Sequence, residues 1–351
     1  MRKIKSSTFP FQIDPRHYYK HNYLTFCNDV LVSILKYADA HKLSSSNLQF
    51  QDESDLKAFE QVMKTSDDWR EWLLNHGHRE EIYEAYFKHT LFSLVADFCN
   101  YMLESINCAA KMKIAVSYAL LRKPLKDTLG YIEWLYADRD ELLDLLVSGK
   151  PEYLVITKEK ALKHTSIIEE KYGKSSYFDF RYNKASETSL EHIWNNANHL
   201  VTTKYRLSKT SPGNLNFVFT DESGLRSFSD YYYITVPCIM SYAVDIICEM
   251  FEDFAGLNEY TILMNKLDRL LKSLTLLEKP SFSDIRQLCL DGEVPIICPR
   301  CGLKLKMTDK RILKLLQNQC VCIRCRKKID TSRYNFDWEK IDITFVEKSD
   351  K

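Results

Sequence analysis

Apolar residues recur at helical spacing along most of the chain, predicting a succession of helices rather than a sheet. Residues 1–20 carry no such period, and Pro10 and Pro15 mark an extended arm. Leu24, Leu31, Ile34 and Leu35 share the face of a first helix that Ser44-Ser45-Ser46-Asn47 ends. Asp55–Met63 is a second, and Trp69 and Trp72 lie in a third that stops at Asn75-His76-Gly77-His78. His76 and His78 flank a helix-ending glycine and read as solvated turn residues.

From Glu80 the stripes lengthen. Ile82, Leu91, Val95, Phe98, Met102 and Ile106 keep a helical period to Asn107, and Ile114, Tyr118, Leu121, Leu125, Ile132 and Leu135 continue it in a second helix. Two such stripes bury each other best as an antiparallel pair. Pro124 falls inside the second stripe, where it removes the hydrogen bond to Leu120 and predicts a kink. Asp140 is expected to cap a short helix that Gly149 and Pro151 end. Helices over Thr157–Tyr172, Ser186–Thr203, Ser229–Phe254 (with a break at Pro237) and Asn258–Leu277 follow. Tyr177–Tyr182 and Leu215–Phe219 read as short extended segments. No internal repeat emerges.

The fold class expected is therefore mainly α: a multi-helix bundle with a small C-terminal cysteine-rich module. The divisions are an arm with short helices over 1–78, a helical-bundle domain over 79–280 and the small module over 281–351.

Composition changes this picture little. The chain has 351 residues, 45% of them hydrophobic, and a net charge of +1, so any affinity for polyanions must come from local asymmetry. Its basic first residues are followed by no apolar core, which argues against a signal peptide. The greasiest run, Ile234–Cys248, contains Pro237 and Asp245 and is shorter than a membrane span. We expect a cytoplasmic protein without a membrane partner.

The 11 cysteines point to a chemistry. Cys27, Cys99, Cys108, Cys238, Cys248 and Cys289 are scattered and read as small buried hydrophobes. The other five crowd together. Cys298-Pro299-Arg300-Cys301-Gly302 and Cys322-Ile323-Arg324-Cys325 give Cys-x2-Cys-x20-Cys-x2-Cys, the spacing of a tetrahedral structural Zn2+ site. Cys320 stands as an alternative to Cys322 for the third ligand. Four thiolates fill the sphere and leave no open position for catalysis. These knuckles resemble zinc-ribbon and zinc-knuckle modules, so the fold expected is a multi-helix bundle with a small C-terminal zinc-binding module, zinc-ribbon-like over 281–351. Thr308–Gln317 departs from a plain ribbon, because it reads as a capped amphipathic helix.

The module is also basic. Arg300, Lys304, Lys306, Lys310, Arg311, Lys314, Arg324, Arg326, Lys327 and Lys328 face a single acid, Asp309, between Cys298 and Lys328. Such a field suits phosphate backbones, so RNA or DNA is the expected partner, with a protein partner as the alternative.

In the helical body, Leu190, Ile193, Ala197 and Val201 mark an apolar face, with Asn195, His199 and His192 opposite. Ala115, Ala119, Arg122, Lys126 and Glu133 form a row on the preceding long helix. The Asn-x3-His pair on a helical bundle resembles the HEPN superfamily, many of whose members are metal-independent ribonucleases of toxin and defence systems. Trp194 stands where their motif has an arginine. The resemblance implies a homodimeric ribonuclease in which His199 is the acid or base, Asn195 orients it, and Arg122 or Lys126 neutralises the phosphate.

Overall fold

The long stripes do become the long helices. The computed structural model describes residues 13–329, except 46, 47, 49, 51, 66–68, 173–176, 188, 205, 217–220, 274–295, 299, 307, 317 and 318. Its contacts divide the chain into two units, Met1–Phe251 and Glu252–Lys351. The expected division near 280 lies outside the described residues.

In the first unit the helices are α1 (Tyr18–Ala40), α2 (Glu53–Thr65), α3 (Trp69–Asn75), α4 (Arg79–Ala110), α5 (Ile114–Arg122), α6 (Leu129–Ala137) and α7 (Arg139–Val147). They continue with α8 (Lys158–Tyr172), α9 (Tyr177–Tyr182), α10 (Leu190–Asn198) and α11 (Glu222–Glu252), whose last residue opens the second unit. Leu91, Val95, Phe98, Met102, Tyr118, Leu121, Leu125, Ile132 and Leu135 are all fully buried.

Hydrogen bonds fix the directions of the core helices. Ser105 Oγ lies 3.0 Å from Ser117 Oγ, and Lys123 Nζ donates to Asp97 Oδ1 at 2.7 Å. Position rises along one helix as it falls along the other, so α4 and α5–α6 are antiparallel, as expected. Tyr118 pairs with Phe228, Tyr242 with Glu133 and Tyr136 with Glu249, which makes α11 parallel to α5–α6. His17 meets Asp230 and Tyr23 meets Ser241, so α1 runs parallel to α11 as well. α11 is long and apolar enough to cross a membrane, but 72% of its most apolar window is buried, as in the core helix of a soluble protein.

Both internal prolines behave unexpectedly. α11 runs through Pro237 without a break. At Pro124 the chain forms a π-helical turn, Lys123–Thr128, closed by Leu129 N–H donating to Pro124 O. Two carbonyls of this turn accept side-chain hydrogen bonds from α9. Arg181 Nη1 donates to Leu125 O at 3.0 Å, and Tyr182 Oη donates to Lys126 O at 2.9 Å. Arg181 also pairs with Glu133, and both side chains are wholly inaccessible to solvent.

Several expectations are corrected. Tyr177–Tyr182 is a short helix, not an extended segment. Asp138, not Asp140, precedes α7; Asp140 lies in its first turn, where the helix dipole favours it. His76 is exposed and stacked on Trp72, but His78 is buried beside Phe50. Cys238 is exposed and Cys108 half-buried, whereas Cys27, Cys99 and Cys248 are buried as expected. Cys289 and the end of the Leu215–Phe219 segment lie outside the described residues.

The second unit contains α12 (Glu259–Ser273), a two-stranded hairpin of β1 (Ile296–Ile297) and β2 (Lys304–Leu305), and α13 (Asp309–Leu316). β1 and β2 are antiparallel, Ile296 facing Leu305 and Ile297 facing Lys304. α13 is the amphipathic helix expected between the cysteine pairs, and Thr308 Oγ1 accepts from Arg311 N–H at its start. Ile312, Leu315, Leu305, Cys320 and Ile329 form its small buried core.

Candidate metal centre

The two cysteine pairs are built on the same backbone plan. In the first, Cys298 N–H donates to Leu303 O at 3.0 Å and Gly302 N–H to Cys298 O at 3.0 Å. In the second, Cys322 N–H donates to Lys327 O at 2.9 Å and Arg326 N–H to Cys322 O at 2.9 Å. Each donor and acceptor is shifted by the same 24 positions. The flanking strands follow: Ile297 pairs with Lys304, and Val321 bridges to Lys328. Residues 296–305 and 320–329 are thus a short repeat that reading the sequence alone overlooked.

The repeat explains two details. Gly302 has φ +66°, which glycine adopts without strain, and Arg326 holds the matching place at φ +60°. Cys320 corresponds to Ile296, so it is an apolar strand residue by position. It is 1% exposed, and burial above all pushes its thiol pKa up. Cys322, not Cys320, matches Cys298.

The sulfurs converge accordingly. Cys298 Sγ lies 3.4 Å from Cys325 Sγ, and Cys301 Sγ lies 3.6 Å from Cys322 Sγ. All four lie within 4.8 Å of one another. A tetrahedral zinc with bonds of about 2.3 Å needs sulfur separations of about 3.8 Å, so the set closes on an ion with little movement. Burial opposes ionisation of Cys298, but the Arg300 and Cys301 amides aimed at its sulfur outweigh it and lower its pKa to about 6. The Cys325 amide, above all, lowers that of Cys322. Backbone donors thus favour the thiolate form that a metal requires at Cys298 and Cys322. At Cys301 the Leu303 amide is outweighed by burial and the neighbouring sulfurs, which push the thiol up to about 11. Four thiolates are suited to a metal ion, with no open position for substrate.

The basic residues surround this centre. Lys304 and Lys306 flank buried Leu305 and so share the outer face of β2. Lys310 and Lys314 lie one turn apart on α13. Arg300 and Arg324 occupy equivalent places in the two knuckles, and Arg326, Lys327 and Lys328 follow the second. All nine are exposed; Arg311 is half-buried and donates to Lys306 O. None of the ten forms an ion pair with a carboxylate among the described residues.

The polar residues singled out in the body fare differently. α10 spans only Leu190–Asn198, capped by Ser189 Oγ, and packs on α5. His199 is its exposed C-cap, so it is not on the helix. Val201 lies beyond it and is 54% exposed. The helix stops there because Asn216 and Thr210 gather the following loop: Asn216 Nδ2 donates to His199 O, and Thr202 N–H donates to Thr210 Oγ1. The buried residues of α10 are Leu190, Glu191, His192 and Trp194, so Trp194 is core and His192 is not on an open polar face. Lys126 is neutralised by Glu191 at 2.7 Å. The π turn breaks the expected row, leaving Arg122 exposed and Glu133 buried. No hydrogen bond joins the side chains of Arg122, Asn195 and His199 among the described residues.

Comparison with protein families, curated proteins and solved structures finds no match to this chain. The likenesses to zinc ribbons and to the HEPN superfamily rest on short motifs alone.

Proposed function

We propose that the C-terminal unit is a structural zinc module that contacts the phosphate backbone of nucleic acid, in a cytoplasmic protein whose helical unit carries it. The observation behind this is the concentration of unpaired cations around the cysteines. Lys123, Lys126, Lys163, Lys171 and Arg181 in the helical unit all meet carboxylates. The ten cations around the cysteines meet none among the described residues, and nine are exposed. Exposed cations held on a rigid scaffold release counterions from a polyanion, which is the main source of affinity for phosphate backbones. Zinc is preferred over iron because the site needs only four thiolates and no redox partner.

The test is binding of single-stranded RNA and duplex DNA by the zinc-loaded chain across a salt series. Affinity should fall steeply with salt. The Arg326→Ala/Lys327→Ala/Lys328→Ala variant should flatten the logarithmic slope by about 2–3, near 0.7–0.9 for each lost phosphate contact. Absence of binding at low salt would overturn the proposal and point to a protein partner. RNA cleavage without added metal, lost in His199→Ala while binding persists, would replace it with the HEPN-like reading.

A further inference from the structure

A second set of ligand-type side chains converges in the helical unit, remote in sequence from the cysteines. Asp138 lies at the junction of α6 and α7, Glu141 in the first turn of α7 and His164 in the middle of α8. One ligand atom from each lies within 4.8 Å of the other two.

His164 is the telling residue. Its side chain is wholly buried, and neither Nδ1 nor Nε2 has a hydrogen-bond partner. Leaving a buried polar group unpaired is costly, so an imidazole in this position calls for a ligand. The ring stacks on Trp134 with centroids 5.6 Å apart, which fixes its plane. Burial lowers its pKa to about 4, so at neutral pH it is uncharged and keeps a lone pair.

The carboxylates form the solvent side of the cluster, since both residues are partly exposed. Trp134 Nε1–H donates to Glu141 Oε2 at 3.1 Å, the kind of outer hydrogen bond that orients a metal-binding carboxylate. Two ammonium groups supply positive charge meanwhile: Lys163 Nζ lies 2.7 Å from Asp138 Oδ2, and Lys160 Nζ lies 3.2 Å from Glu141 Oε1. The Lys163 side chain is 54% exposed and free to swing into water.

We propose that Asp138, Glu141 and His164 form a second metal site, which takes a divalent first-row ion such as zinc when Lys163 and Lys160 withdraw. One imidazole and two carboxylates suit zinc better than calcium or magnesium, which prefer oxygen alone. Bonds of about 2.1 Å allow ligand atoms at most about 4.2 Å apart, so the side chains need to close by no more than about half an ångström. The bound ion would staple the α6–α7 junction to α8.

Zinc retained per chain after dialysis, measured by elemental analysis, tests this. Wild type should hold two ions, and His164→Gln, Asp138→Asn and Cys322→Ser one each. Thermal unfolding of the helical unit shows that the first two variants remain folded; Asp138→Asn, at the rim, guards against collapse of the buried His164 site. Lys163→Met should tighten the second site, because it removes a competing cation; a merely structural ion pair predicts no such gain. One ion in both wild type and His164→Gln, or two in both, overturns the proposal. One ion in wild type and none in His164→Gln would uphold this site and instead remove the cysteine module's zinc.

Discussion

The two units stabilise themselves in opposite ways. The helical unit buries long apolar stripes and takes some charge inside with them, as at Arg181, Glu133 and Tyr242. Among its described residues, the cysteine module has a core of a few side chains around Leu305, Ile312 and Leu315, and its cations point outward. A core of that size offsets little chain entropy by itself, and an ion held by the four convergent thiols would supply a cross-link in its place. A large core can hold a shape without a ligand, whereas a small one makes its shape conditional on an ion.

Removing zinc should break that contrast most sharply. Structural zinc contributes about 10–16 kcal/mol in small modules, so chelation or Cys322→Ser should unfold the C-terminal unit. The helical far-ultraviolet signal of the first unit should remain. Acid should act likewise. Backbone amides hold the Cys298 thiol below its ordinary range, which favours metal binding at neutral pH; protons compete for the thiolates and displace the ion as the solution turns acid. Zinc release followed with a chromogenic chelator checks the direction.

Next in size is the buried pair of the helical unit. Arg181→Met leaves Glu133 uncompensated in the core and should cost about 3–5 kcal/mol in denaturant unfolding. Arg181→Met/Glu133→Leu should recover most of that loss. If it recovers nothing, the carbonyl of Leu125 at the π turn depends on Arg181 more than Glu133 does.

Finer changes sharpen the repeat within the C-terminal unit. Arg326→Gly should stabilise the second knuckle by up to about 1 kcal/mol, and Gly302→Ala should destabilise the first by at least as much, because both positions are left-handed. Smallest is Cys320→Ala, which should leave the zinc count unchanged and cost about 1 kcal/mol of packing. Loss of zinc in that variant would return Cys320 to the ligand set.

Much of the fold was legible because helices are local. The stripes from Ile82 to Ile106 and from Ile114 to Leu135 repeat at a spacing that only a helix can place on one face. The candidate metal ligands were legible for the same reason: two cysteines three positions apart define a knuckle wherever it lies. Position by position comparison of Ile296–Leu305 with Cys320–Ile329 would also have exposed the repeat and settled the place of Cys320.

Other features had no local signature. The π turn at Pro124 and the uninterrupted helix through Pro237 begin from the same residue type, and neighbouring helices decide between them. At the first, Arg181 and Tyr182 donate to carbonyls of the turn.

By itself, then, the sequence determined the helices, the short reach of the cysteine pairs and the basic character around them, since each depends on neighbours within a few residues. Tertiary structure decided which polar groups are core and which are surface. Glu133 left its expected row to meet Arg181, 48 positions away; His164 came to face Asp138 and Glu141; and His199 was left exposed at a helix end. Burial and pairing are made by residues distant in the chain, and no spacing within one helix records them.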